Sequence, residues 1–313
     1  MLIFYILTGV ILLIALVAVI LAYCIYKMVF YGVPNPEPDL YRLPKHEQYE
    51  QNKEWVTGMI RELDAQPYEA IEILSHDGLK LYGRYYHRAD NAPIFIHHHG
   101  YKSFGLRDFC GPDRIVQSLG CNTLIIDHRA HGKSEGRRIT FGARESLDSL
   151  SWVNYLSARF GKDTPIFLTG VSMGGATVLM ATARDLPDNV RGVIADCPCS
   201  STWGIVSKVG RDRGFPDRYA YGLTCLAARF AGFDLAKASA IQAVKASKIP
   251  ILLIHGEGDR YVPFEMSLEI LEANPEKISF VPIPDAGHVL SYIMHPEQYT
   301  EHFVSFVNKC LRK

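Results

Sequence analysis

Two kinds of apolar patterning divide the chain. From residue 68 onward, short apolar runs of strand length alternate with stretches whose apolar residues recur at helical spacing. YEAIEILSHDGLKLYGRYYHR (68–88) alternates apolar and polar positions around Asp77-Gly78, which predicts a hairpin. Near-continuous apolar runs then follow at 92–99, 121–127, 164–170, 190–197, 250–256 and 278–284. Such runs suit strands covered on both faces. Helical spacing fills 107–118, 142–159, 173–184, 264–274 and 295–311. Strand and helix alternating this often predict an α/β chain with a doubly wound, mostly parallel sheet, whose ligands bind beyond the carboxyl ends of the strands.

Two segments break the rhythm. About fifty residues separate the runs at 190–197 and 250–256, too long for a simple crossover. Their helical spacing at Leu223, Leu226 and Phe230, just after a strand end, predicts a small helical cap inserted at about 200–247. An ordinary two-helix excursion is the plainer alternative. The other segment is N-terminal: Met1 to Tyr26 carry no charged side chain and are almost wholly apolar. About 20 such residues cross the hydrocarbon core of a bilayer. The expected division is a single-pass transmembrane anchor over 1–30, in contact with the membrane through residues 2–26, a connector over 31–66 and an α/β domain over 67–313. The basic n-region and small-residue cleavage site of a signal peptide are missing, and a buried core helix is the remaining alternative. Pro34, Pro36, Pro38 and Pro44 stiffen the connector, and 46–63 reads as a surface helix. Lys27, Arg42 and Lys45 follow the span, so the positive-inside rule puts the C-terminal domain on the cytoplasmic side. On this reading, deleting residues 1–30 releases a soluble, active domain.

Composition narrows the partners. The 313 residues carry 33 basic and 33 acidic side chains, which removes the electrostatic case for nucleic acid. The seven cysteines are odd in number and scattered, which argues against a disulfide framework and for a reducing compartment. Cys197 and Cys199 are too close for a CxxC motif and read as buried residues at a strand end.

The candidate chemistry starts at Gly170-Val171-Ser172-Met173-Gly174. A serine nucleophile must stand clear of the sheet on a sharp strand-to-helix turn, and flanking glycines remove the Cβ atoms that would clash there. An apolar β run precedes this pentapeptide and a small-residue helix follows it. Serine needs a base oriented by an acid. Asp259 and His288 follow the strands at 250–256 and 278–284, in the order Ser, Asp, His. Ser172 is therefore the expected nucleophile, His288 the base and Asp259 the orienting acid, with Glu257 and Asp196 as fallback acids. The backbone N–H groups of Tyr101, after HHHG, and of Met173 are the expected oxyanion donors. His97 and His99 share one face of their strand and His98 takes the other, so the trio does not converge on a metal. His99 is expected to brace the oxyanion loop, and neither metal nor cofactor is expected.

HGY (99–101), DHRAHGKSEG (127–136), GVSMGG (170–175), HGEGDRYVP (255–263) and AGH (286–288) together resemble the α/β-hydrolase superfamily over about residues 68–310. Ala130 departs from the pattern by replacing the usual first glycine of the second motif. The resemblance is to the serine-hydrolase branch with monoacylglycerol lipases, carboxylesterases and proline-iminopeptidase-like enzymes, including membrane-anchored bacterial members. It implies hydrolysis of a small-molecule or lipid-like carboxylic ester through an acyl-enzyme on Ser172. Dehalogenases of the same superfamily carry aspartate at the nucleophile position, where this chain has Ser172. Trp203, Phe215 and Phe230 in the cap favour apolar acyl groups. The cap's cations (Lys208, Arg211, Arg213, Arg218 and Arg229, against Asp212 and Asp217) either meet anionic headgroups or form a solvated face. Two alternatives stay open: an aminopeptidase or dipeptidase, which needs a carboxylate pair for the substrate ammonium, and a membrane-anchored scaffold without turnover.

Overall fold

The computed structural model describes residues 1–312, with backbone alone at residues 218 and 219. The last residue of the expected domain, Lys313, and the charge of Arg218 thus lie outside the described residues. The strands are β1 Glu69–Leu74, β2 Lys80–Tyr86, β3 Ile94–His98, β4 Asn122–Ile126, β5 Ile166–Val171, β6 Val190–Asp196, β7 Ile251–Gly256 and β8 Ile278–Ile283. They form one eight-stranded sheet in the order β1-β2-β4-β3-β5-β6-β7-β8. Pairs β1–β2 and β2–β4 are antiparallel, and all others are parallel. Every residue of β3, β4, β5 and β7 is buried, as their uninterrupted apolar character requires. The order steps from β3 out to β4 and back to β5. The loops leaving β3 and β5 therefore part in opposite directions and open a crevice at the carboxyl edge.

Helices cover both faces. The N-terminal helix α1 runs Leu2–Ile25, then α2 Glu47–Gln51 and α3 Lys53–Asp64. The single helix expected over 46–63 is thus interrupted at Asn52, whose φ of −108° and ψ of 14° leave the helical range. The helix expected over 107–118 is likewise two, α4 Gly105–Phe109 and α5 Pro112–Ser118. Pro112 has no N–H to continue α4 and fits the first turn of α5 instead. The next helices are α6 Glu145–Phe160 and α7 Met173–Ala181. Between β6 and β7 lie α8 Thr202–Asp212, α9 Asp217–Ala231 and α10 Ala240–Val244. The last three are α11 Glu265–Ala273, α12 Ser291–Met294 and α13 Pro296–Leu311.

One core layer sets Trp152 and Leu156 of α6 and Val178 and Leu179 of α7 against Ile94, Leu124 and Leu168 of the sheet. The opposite layer packs Phe303 and Phe306 of α13 on Phe95, Phe167 and Ile254. In it Phe95 and Phe167 stack at 4.7 Å. Burying such a ring contributes about 2 to 3 kcal/mol each, so these layers fix the strands whose ends carry the site. By contrast, α1 leaves nearly all its large apolar side chains exposed. With the turn that follows it, Leu2–Phe30 is long and apolar enough to cross a membrane.

Candidate active site

Ser172 stands between β5 and α7 with φ 55° and ψ −116°. That conformation is strained for a residue with a Cβ, and its surroundings hold it. The Ser172 N–H donates to the carbonyl of Asp196 at 2.9 Å, and its own carbonyl accepts from the Ala176 N–H at 3.0 Å to start α7. A Cβ on Gly174 would fall inside contact with the carbonyl oxygen of His98, and one on Gly170 inside contact with that of Gly174. Both glycines are thus required where β3, β5 and α7 meet.

Three loops meet above the sheet's carboxyl edge. Ser172 Oγ lies 3.0 Å from His288 Nε2, and His288 Nδ1 lies 2.6 Å from Asp259 Oδ2. Asp259 Oδ1 accepts from the backbone N–H groups of Tyr261 and Val262 at 2.8 and 2.9 Å, which fixes the carboxylate's rotation. Burial raises the Asp259 carboxyl, but its hydrogen bonds with His255 and His288 outweigh that and hold it well below the usual carboxylate range. His255 is the residue that sequence reasoning passed over. Its Nε2 sits 3.3 Å from Asp259 Oδ2 and 3.0 Å from the carbonyl of Val262, and its Nδ1 meets Ser267 Oγ at 2.6 Å. The only sequence signal was its place two residues before Glu257 in HGEGD.

The fallback acids go elsewhere. Glu257 is exposed. Asp196 is buried and accepts from Ser291 Oγ at 2.9 Å. Burial pushes its carboxyl up to about 6, against the pull of that hydrogen bond. Its contact with the serine turn is the backbone bond to Ser172.

The loop after β3 brings Gly100, the residue before Tyr101, against Ser172. The Gly100 N–H donates to Asp108 Oδ2 at 2.8 Å, and Ser103 Oγ donates to Asp108 Oδ1 at 2.6 Å. His99 Nδ1 meets the carbonyl of Gly100 at 2.8 Å, and its Nε2 accepts from the His128 N–H at 3.1 Å. Lys102, at φ 50°, donates its N–H to His131 Nε2 at 3.0 Å, and His131 Nδ1 meets the carbonyl of Arg129 at 2.9 Å. Burial pushes His131 down to about 4 and His99 well below its usual value, which keeps both rings neutral acceptors. Ala130 takes φ 63°, which explains why a glycine suits that motif position. The Met173 N–H lies in the first turn of α7, where no intrahelical acceptor is within reach.

The three consecutive histidines face different partners. His97 lies between Thr169 Oγ1 and Asp113 and stacks on Phe109 at 4.1 Å. His98 meets the carbonyl of Thr169 and Ser149 Oγ, each at 3.0 Å. Among the described residues, ligand-type atoms gather within 4.8 Å in Cys197–Asp259–His288 and in His76–Asp77–Asp148. The first is already joined by the His288–Asp259 bond, and the carboxylates of the second pair with Arg129. Cys197 and Cys199 are both buried.

Between β6 and β7, Trp203 packs on Tyr221 at 4.9 Å, Phe215 is 61% exposed, and Phe230 meets Tyr23 and Tyr26 of the N-terminal segment. The carboxylates of Asp212 and Asp217 pair with Lys208 and Arg211 at 2.7 Å each.

A strained serine turn at a switch point, facing an imidazole and a carboxylate from the next strand ends, defines a hydrolase-type α/β fold. A family model described as alpha/beta hydrolase fold matches residues 93–221. The uncharacterized protein YfhR of Escherichia coli (strain K12) is 27% identical over 253 residues, 78% of this chain and 81% of that protein. The monoglyceride lipase of Rattus norvegicus is 24% identical over 271 residues, 74% and 86% of the two chains. A solved esterase of Pyrococcus furiosus superposes with a TM-score of 0.64 at 22% identity, covering 89% of this chain and 98% of that one. The chain has the α/β-hydrolase fold, and the family model and its esterase and lipase neighbours support a hydrolase.

Proposed function

We propose that this hydrolase cleaves carboxylic esters through an acyl-enzyme on Ser172, and that α1 tethers it to a membrane. The observation that carries the reading is the unbroken chain from Ser172 Oγ through His288 to Asp259, at 3.0 and 2.6 Å. His288 Nε2 takes the hydroxyl proton as Oγ bonds to the ester carbonyl carbon. The N–H groups of Tyr101 and Met173 receive the developing oxyanion, each contributing about 3 to 4 kcal/mol to the barrier reduction. When the carbonyl re-forms, the ester C–O bond breaks and the proton on His288 goes to the leaving alkoxide. Water, deprotonated by His288, then attacks the acyl carbon; the bond from that carbon to Ser172 Oγ breaks, His288 returns the proton to Oγ, and the acid leaves. Asp259 keeps the proton of His288 on Nδ1 and stabilises the imidazolium.

The same reading divides the protein into an anchor over 1–30, a connector over 31–66 and a catalytic domain from 67 on, with the helices at about 200–247 as its cap. An apolar cluster that joins Met173 to Ile205, Ala227 and Phe233 supports an apolar acyl group. Lys27, Arg42 and Lys45 support a cytoplasmic domain. Pairing of the cap's Asp212 and Asp217 with cations disfavours a peptidase, which needs free carboxylates for a substrate ammonium. A fluorophosphonate probe should label the wild type and not Ser172→Ala. A panel of short to long acyl esters and aminoacyl amides should then show ester turnover. Absence of labelling in folded wild type supports a scaffold instead, and faster amide turnover supports a peptidase.

A further inference from the structure

A tether needs only length, yet the end of α1 is built into the loop beside Ser172. After Ile25 the helix widens into a π-turn, Tyr26–Phe30, and the chain leaves it extended at Tyr31. Carbonyls at a helix end lack intrahelical donors and carry the negative end of the helix dipole. Here the oxyanion loop meets them. Tyr101 Oη donates to the carbonyl of Val29 at 2.8 Å, and Lys102 Nζ donates to that of Met28 at 3.2 Å. Among the described residues Lys102 has no carboxylate within salt-bridge distance, so the helix end is the charge complement of its ammonium.

The next residues grip the same loop from the other side. Phe30 is fully buried between Phe141 and Phe233, at 5.9 and 5.3 Å, and Phe141 stacks on the Tyr101 ring at 4.9 Å. The Phe30 carbonyl accepts from the Ile139 N–H at 2.9 Å, and the Gly32 N–H donates to the Arg137 carbonyl at 3.1 Å. A side chain at Gly32 would press into Ala130. That strapped segment carries His131, the acceptor for the Lys102 N–H. The loop next to the serine is therefore held at the Tyr101 hydroxyl, at the Lys102 ammonium and at the Lys102 amide, and each hold traces back to residues 28–32.

We propose that the π-turn following α1 positions the oxyanion loop, with Tyr101 Oη and Lys102 Nζ gripping the carbonyls of Val29 and Met28 so that the Tyr101 N–H faces the reacting carbonyl. Tyr101 and Lys102 side chains act here as positioning groups, and the proposal rests on the acyl-enzyme reading above. Oxyanion donors act only within a few tenths of an ångström of their place, so loosening this grip slows chemistry more than it weakens binding. The membrane helix, fixed in its bilayer, then sets catalytic geometry.

The test uses the full chain in phosphatidylcholine vesicles with a water-soluble butyrate ester. Tyr101→Phe and Lys102→Met together should lower kcat about 10- to 100-fold, with KM within about twofold and the thermal midpoint close to wild type. Labelling of Ser172 by a fluorophosphonate should slow in parallel, and Lys102→Arg should restore the rate lost in Lys102→Met. A double variant with unchanged kcat beside a labelled wild type overturns the positioning role alone. So does a loss of kcat matched by loss of folded protein, or one that Lys102→Arg leaves uncorrected. A wild type that neither labels nor turns over removes the catalytic reading, and this one with it.

Discussion

Replacing Asp259 by asparagine is the sharpest perturbation of the proposed triad, because the structure dictates how the new amide sits. Two backbone donors, the N–H groups of Tyr261 and Val262, converge on Oδ1. They hold an oxygen there and turn the NH2 toward His288 Nδ1, where Oδ2 now lies at 2.6 Å. An amide donor at that position makes Nδ1 an acceptor and drives the ring proton to Nε2, the atom 3.0 Å from Ser172 Oγ. The imidazole then has no lone pair for the serine proton. Loss of the productive tautomer in a serine–histidine–aspartate triad costs about 10⁴-fold in kcat, or about 5.5 kcal/mol of barrier. The assay is steady-state hydrolysis of p-nitrophenyl butyrate by full-length protein, with the thermal midpoint as a check on folding. Volume and the Oδ1 bonds are conserved, so the variant should fold. A loss below about tenfold in a folded variant would refute the argument that Asp259 sets the tautomer of His288.

Two further outcomes probe the surroundings. Burial pushes the Asp196 carboxyl up to about 6 in the folded chain, against about 3.9 when unfolded. The folded state binds more protons across that window, so stability falls as pH rises from about 4 to 6, by about 3 kcal/mol. Asp196→Asn keeps an acceptor for Ser291 and should raise the thermal midpoint at pH 8 while leaving it unchanged at pH 4; an equal effect at both would contradict the assignment. Removing residues 1–30 strips the buried Phe30 and should cost about 3 to 5 kcal/mol, or about 10 °C in midpoint, whereas removing 1–22 should not. Equal midpoints for the two truncations would show that Phe30 contributes nothing. The soluble, active domain expected from a cut at residue 30 is therefore better sought with the cut before the π-turn.

The architecture was legible because each strand is an apolar run bounded by turn residues. Strands such as β3 and β5, buried on both faces, admit little else. Ser172 was legible because its turn requires Gly170 and Gly174 at fixed offsets. Asp259 and His288 followed because the fold delivers successive strand ends to one edge. Breaks at Asn52 and at Gly111-Pro112 fell inside continuous apolar periodicity and left only weak local marks.

By itself, then, the sequence determined the sheet, the serine turn and the chain order of the three candidate side chains, all features written in local spacing. Tertiary structure decided which acid faces His288, that His255 sits beside it, and that Asp196 is confined and hard to ionise. It also decided that the π-turn after α1 grips a loop 72 positions away, through Val29 and Tyr101. Contacts between distant segments depend on how the whole sheet packs its helices, and no periodicity along the chain encodes a hydrogen bond from a tyrosine hydroxyl to the last turn of a remote helix.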